Sequence, residues 1–199
     1  MAIKRSPAAA SGRLWLVRHA APLVAPGTCY GALDVPADAQ ATRATAERLS
    51  TALPRGTRVA HSTLQRCELL AHDLQALRPD LTFAPDARLR EMDFGCWEGK
   101  TWDTIGKSAI DTWVAGFATH APGGGESLAH MLHRVAAALQ TAREWRANQG
   151  TKDVVWITHA GVARCVAWLQ ERGESALPRS EDWPVAAPGC GEWEIRELA

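Results

Sequence analysis

An imbalance of charge is what this sequence most plainly lacks. Its 199 residues carry 22 basic and 22 acidic side chains, a formal net charge of zero. No global field is then available to hold a nucleic-acid backbone or an anionic membrane, and an anionic ligand has to be met by cations gathered locally. No stretch approaches the roughly 18 apolar residues that a membrane-spanning helix needs. The apolar run Leu14, Trp15, Leu16, Val17 stops at Arg18 and is too short for the core of a signal peptide. The five cysteines (Cys29, Cys67, Cys96, Cys165 and Cys190) are odd in number and without C-x-x-C spacing. Neither a disulfide framework nor a zinc cluster is favoured, and a cytoplasmic location is expected. Lysine is sparse, since 18 of the 22 basic residues are arginine. The planar guanidinium suits phosphate, but coding bias produces the same excess, so arginine usage alone carries no weight.

What is present is an ordinary globular composition, 46% hydrophobic, in a chain long enough to bury a core. Without a repeat, linker or low-complexity block, one domain is expected over 13–199, preceded by a loose tail at 1–12. Apolar runs that end abruptly read as strands buried on both faces. They begin at Leu14, at Thr57, at Leu81 and at Val154. Between them lie helical patterns: one opened by Asp38 and closed before Pro54, one carrying Leu64, Cys67, Leu70 and Leu74 and stopped by Pro79, a long one from Leu128 toward Gly150, and one from Val162 to Arg172. Ser62 with Gln65 reads as a capping box for the second helix. The alternation Glu192, Trp193, Glu194, Ile195 reads as a last strand. Residues 88–125 are irregular, and 92–125 is the expected substrate-side insertion. This alternation predicts an α/β three-layer sandwich with a mostly parallel central sheet and helices on both faces.

Three strands end in polar clusters: Arg18-His19, His61-Ser62 with Arg66 one turn on, and Thr158-His159. Ligands of open α/β sheets bind at the carboxyl ends of strands, so neighbouring parallel strands would bring these clusters into one crevice. The helix after Ser62 is expected to aim its free N–H groups there. A phosphoryl group offers about two negative charges and three outer oxygens. Two guanidiniums and one imidazole can hold it while a second imidazole attacks phosphorus, with no metal required. An ion pair at ~4 Å is worth about 4 kcal/mol at an effective dielectric of 20, so each arginine can contribute about a thousandfold in rate. The attacking nitrogen must be unprotonated, which requires an acceptor for the other ring nitrogen. Taken singly, each cluster reads more simply as a structural strand end; it is their recurrence at three strand ends that favours a site.

The strings LVRHAAP, STLQRC, LREMDFGCWEG, PGGGESL and VVWITHAGV occur in the order and spacing of the histidine phosphatase superfamily, which includes the cofactor-dependent phosphoglycerate mutases. The resemblance covers roughly residues 13–170. Within that superfamily, GTCYGALDVP resembles the matching stretch of the α-ribazole-phosphate phosphatases of cobalamin assembly. The resemblance implies that His19 is the nucleophile that becomes phosphohistidine, with Arg18, Arg66 and His159 in the phosphate pocket. It also implies that Glu91 protonates the leaving oxygen, although without the motif Glu91 reads as a surface residue beside Arg88 and Arg90. Ser62, Tyr30 and Gly31 are expected on the substrate side, as are Trp97 and Trp102, while Trp15, Trp156 and Trp168 are expected in the core. The implied activity is a phosphomonoesterase without cofactor or metal, acting on a small phosphorylated metabolite such as α-ribazole 5′-phosphate. No nucleic-acid or membrane partner is implied, and no signature of an oligomeric state is present.

Three departures from the family pattern stand out. Ala20 and Ala160 replace usual glycines and add a methyl where backbone approaches closely. His61 stands where a small hydroxyl residue is usual, either in the pocket or as packing. The asparagine of the mutases is missing from AAPLVAPG and the chain is short for a mutase, which favours hydrolysis over isomerisation. Competing readings are a mutase-type phosphoryl transferase, a non-catalytic phosphate-binding module, and a cysteine phosphatase built on the C-x5-R spacing of Cys190 and Arg196. The last is excluded by the two glutamates between them, which would repel a phosphate. His130 and His133 on the long helix lack acidic ligands at metalloenzyme spacing and read as a solvated face.

Overall fold

Strand β1 (Gly12–Arg18) lies inside a five-stranded sheet of order β3-β2-β4-β1-β5, together with β2 (Arg58–His61), β3 (Thr82–Pro85), β4 (Asp153–Thr158) and β5 (Trp193–Leu198). The computed structural model describes residues 12–149 and 153–198. The expected tail therefore falls outside the described residues except for Gly12, which already opens β1. Strands β1 to β4 pair in parallel and β5 runs antiparallel along β1.

The strict in-out period of a strand explains the layers. Leu14, Leu16, Val154 and Trp156 face a core shared with α5 (Leu128–Gln149) and α6 (Ala160–Arg172). Trp15, Val17, Val155 and Ile157 face the opposite core, shared with α1 (Ala39–Ala52) and α2 (Gln65–Leu77). Both faces of β1 and β4 are thus covered, which is why these strands read as continuous apolar runs. Burying each such Leu or Ile contributes about 1.5–3 kcal/mol. The expected three-layer α/β sandwich with its mostly parallel sheet is the observed architecture.

Local signals set most boundaries. Asp38 caps α1 by accepting the Ala41 N–H at 2.7 Å. The capping box proposed for α2 does not form: its N-cap is Leu64, without a side-chain cap of its own. Instead the Gln65 N–H donates to Asp34 Oδ1 and the Gln65 side chain donates to the Asp34 carbonyl, both at 2.7 Å. Ser62 Oγ accepts only a longer contact from the Leu64 N–H, at 3.3 Å. The Gln65 amide is taken by that carboxylate and so is not one of the free N–H groups expected at this helix start. Helix α6 begins at Ala160, two residues earlier than its apolar pattern suggested. The stretch read as irregular contains two short helices, α3 (Trp102–Ile105) and α4 (Lys107–Ala115).

Candidate active site

The three polar strand ends lie side by side because β2, β4 and β1 are neighbours in register, with Arg18 opposite Thr158 and His61 opposite Ile157. His19 and His159 are both almost fully buried. Their ring centroids stand 5.1 Å apart, with the ring planes tilted by 59°.

His19 Nδ1 lies 2.7 Å from the carbonyl oxygen of Ala20. A carbonyl can only accept, so Nδ1 carries the proton and Nε2 keeps its lone pair. The acceptor that the sequence left unnamed is therefore the backbone of the next residue. Burial lowers the His19 pKa to about 3 against the opposing Ala20 hydrogen bond, with Arg66 and Arg18 adding to the fall. Burial holds His159 well below its ordinary value too, helped by Arg66 and His19. Both rings are neutral near pH 7.

Arg66, on the first turn of α2, is fully buried. Its Nε–H donates to His159 Nδ1 at 3.3 Å, Nη1 to the Leu33 carbonyl at 2.8 Å and Nη2 to the Gly31 carbonyl at 2.6 Å. Burial lowers its pKa, yet an arginine stays cationic. His159 Nε2 then carries the ring proton and donates to Ser62 Oγ at 2.8 Å. Arg18 donates from Nη1 to the Pro188 carbonyl at 3.1 Å. Its buried Nε–H has no hydrogen-bond partner among the described residues, a donor left for a ligand.

The Glu91 carboxylate is fixed from both sides, accepting the Met92 N–H at Oε1 and the Gly161 N–H at Oε2, each at 3.0 Å. It borders a cavity of about 400 Å³ whose polar end holds Arg18 and His19. Tyr30 and Gly31 line the same cavity, and its far wall is aromatic: Phe94, Trp102, Trp113, Phe117 and Trp183. Trp102 and Trp113 lie nearly parallel, and Phe94 meets both edge-on.

Not every expected residue reaches this cavity. Arg66, His159 and Ser62 are buried and do not line it; the bonds above join them to one another, and the His159 ring packs against His19. Trp97 is buried against the edge of Trp113 and only Trp102 faces the cavity. His61 is half-buried, with Nδ1 donating to the Ser62 carbonyl at 3.1 Å, and is absent from the lining. Ala20 and Ala160 introduce no backbone strain, because no non-glycine residue among those described has positive φ. Arg196 pairs with Glu194 on β5 and Cys190 is exposed, so no cysteine cradle exists there. His130 and His133 are exposed on α5.

Several contributors escaped the sequence reading. Glu98 accepts the N–H groups of Ala32, Leu33 and Phe94 and so ties the Tyr30 loop to the aromatic wall. Its place inside LREMDFGCWEG was the available signal. Trp113, Phe117, Trp183 and Arg164 also line the cavity, and no local pattern marked them. Among the described residues no helix is long and apolar enough to cross a membrane.

Comparison with known proteins follows the same lines. The family model of the histidine phosphatase superfamily, branch 1, matches residues 14–185. The mycobacterial glucosyl-3-phosphoglycerate phosphatase is 26% identical with a TM-score of 0.72, the match covering 93% of this chain and 89% of that one. TTHB049 from Thermus thermophilus is 30% identical with a TM-score of 0.61, covering 92% of each chain. The α-ribazole phosphatase of Shigella flexneri shares the fold at 22% identity, with a TM-score of 0.72 over 92% of this chain and 89% of that one. No curated protein matches significantly by sequence. The chain belongs to the histidine phosphatase superfamily and is a phosphatase.

Proposed function

We propose that the protein is a phosphomonoesterase working through a phosphohistidine on His19, with α-ribazole 5′-phosphate as its substrate. The observation that carries the mechanism is the His19 tautomer: with Nδ1–H held by the Ala20 carbonyl, the Nε2 lone pair is free to attack. Nε2 forms a bond to phosphorus as the ester P–O bond breaks, and the leaving oxygen takes a proton from the Glu91 carboxyl. Each Glu91 oxygen accepts one backbone N–H and keeps a second lone-pair position to exchange the transferred proton. Water then attacks phosphorus and gives a proton to Glu91, the N–P bond breaks, and His19 and Glu91 return to their starting states.

Arg18 and Arg66 supply the positive charge that the transferring group needs, which is the main task in phosphoryl transfer, and His159 holds the Arg66 side chain in place. Arg66 is fully buried and bonded through three of its N–H groups, so its contribution to the phosphate is its charge. The mycobacterial relative has been solved with inorganic phosphate, which supports a phosphate site on this fold. The aromatic wall of the cavity that His19 lines favours a flat, weakly polar leaving group such as a benzimidazole nucleoside over a carboxylate-bearing one.

His19→Ala tests the mechanism: it is expected to abolish both turnover and the acid-labile label left by a radioactive substrate. Normal hydrolysis by that variant removes His19 as nucleophile. For the substrate, α-ribazole 5′-phosphate, 3-phosphoglycerate and fructose bisphosphate are compared, and the first is expected to give the highest kcat/KM. A preference for either other ester overturns the assignment.

A further inference from the structure

We propose that Arg134 and Glu126 are positioning residues for Glu91, clamping the backbone that carries its carboxyl group; this rests on the reading of Glu91 as the acid. Arg134 stands on the second turn of α5 with a side chain only 19% exposed. Its guanidinium makes five contacts. Nε and Nη2 donate to the two oxygens of Glu126 at 2.7 and 2.8 Å. Nη1 donates to the carbonyls of Arg88 and Arg90, both at 2.7 Å, and Nη2 reaches the carbonyl of Glu91 at 3.3 Å. An ion pair alone would need only the carboxylate. The three carbonyls all belong to residues 88–91, so the fork joins α5 to the one loop that presents Glu91.

Glu126 is itself fixed, and the string PGGGESL, which the phosphoryl chemistry leaves unused, is the reason. The Glu126 N–H donates to the Asp93 carbonyl at 2.8 Å. Ahead of it the glycines lie against the backbone of 93–95: a Cβ at Gly123 would collide with the Phe94 carbonyl, and one at Gly125 with the Asp93 carbonyl. Ser127 Oγ then accepts the His130 N–H at 3.3 Å and starts α5. Loop, glycine run and helix are thereby locked around Glu91. Position matters for such a group, since a displacement of ~1 Å can cost about a hundredfold in rate.

The test compares Arg134→Lys, Glu126→Gln and Glu91→Gln on an alkyl phosphate, whose leaving oxygen needs a proton, and on 2,4-dinitrophenyl phosphate, whose leaving group does not. Arg134→Lys is expected to lower the rate at which the alkyl ester phosphorylates His19 by about 10- to 100-fold, with the rate of His19 phosphorylation by the dinitrophenyl ester nearly unchanged; breakdown of the phosphohistidine is common to both substrates and is measured apart. Glu126→Gln is expected to show the same selectivity in weaker form. Neither change is expected to add a further loss to Glu91→Gln. Equal slowing of the phosphorylation step with both substrates, or a full additional loss in the double variant, overturns the clamp. Should Arg134→Lys not accumulate as folded protein, the isosteric Glu126→Gln decides by the same readout. A leaving-group-selective Glu91→Gln beside unselective clamp variants overturns this proposal alone, whereas an unselective Glu91→Gln removes the acid reading and the clamp with it.

Discussion

The amide of Gly161 donates to Glu91 across the junction between α6 and the loop that follows β3, and the contact leaves no space for a side chain at 161. A Cβ there would collide with Glu91 Oε1, the movable end of a side chain rather than a wall of the fold. Gly161→Ala is therefore expected to displace the carboxylate without unfolding the helix. Activity on poorly activated esters should fall by about a hundredfold. The melting temperature should hold or rise, because alanine favours a helix over glycine by up to about 1 kcal/mol. Kinetics and calorimetry on one preparation check this; a lowered melting temperature would show damage to α6 instead.

The buried histidines set the acid limit of stability. Folded His19 has its pKa lowered to about 3 by burial, and that of His159 is lowered in the same sense. The unfolded chain binds protons on these rings below about pH 6.5 while the folded chain does not. Stability from them is therefore complete above pH 6.5 and is lost as pH falls toward 3, with a slope of up to about 1.4 kcal/mol per pH unit for each ring. Urea titrations between pH 7 and pH 4 should show a shallower loss for His159→Gln than for the parent. An equal loss in both would mean that His159 is not buried as a neutral ring.

Asp34 caps α2 from a distant loop, and that loop also brings the Gly31 and Leu33 carbonyls to Arg66. Asp34→Ala should cost about 1 kcal/mol, a fall of about 2–4 °C in melting temperature. It should also raise KM as Arg66 loses its anchor. A fall in stability with KM unchanged would separate the cap from the site.

The aromatic wall predicts selectivity. Trp102→Ala should weaken a base-bearing phosphomonoester by about tenfold in KM, corresponding to roughly 1.4 kcal/mol of ring contact. Glycerol phosphate, which has no ring to stack, should be nearly unaffected. Parallel losses on both esters would assign Trp102 to structure rather than recognition.

In the proposed scheme the charge that stabilises the transferring phosphoryl group comes from the guanidiniums of Arg18 and Arg66, with no metal required. Hydrolysis of p-nitrophenyl phosphate should accordingly proceed at the same rate with and without EDTA. A rate that collapses on chelation and returns with an added divalent cation would replace the phosphohistidine scheme with a metal-dependent one.

How much of this was legible beforehand depended on the range of the interaction. The runs at Leu14 and Val154 announced strands buried on both faces, because burial leaves no polar alternation to hide them. The Arg-His and Thr-His steps that end those runs marked the crevice, since parallel strands deliver their carboxyl ends to one edge. The cap of α2 was misread because Ser62 and Gln65 satisfy a local rule, while the group that binds the Gln65 amide comes from Asp34 in another loop. The hydroxyl of Ser62 instead accepts from His159, the residue that follows β4.

The amino-acid order by itself determined the alternating elements, the layered α/β class and the identity of the polar residues at the strand ends, because these follow from periodicity and from chain direction. Only the tertiary structure decided which ring nitrogen of His19 is free, how Arg66 is anchored, that Glu91 rests on Gly161, and that five aromatic rings close the far side of the cavity. Each of those depends on which segments meet in space. A hydrogen-bond partner contributed by a remote loop leaves no period or spacing in the residues around the group it satisfies.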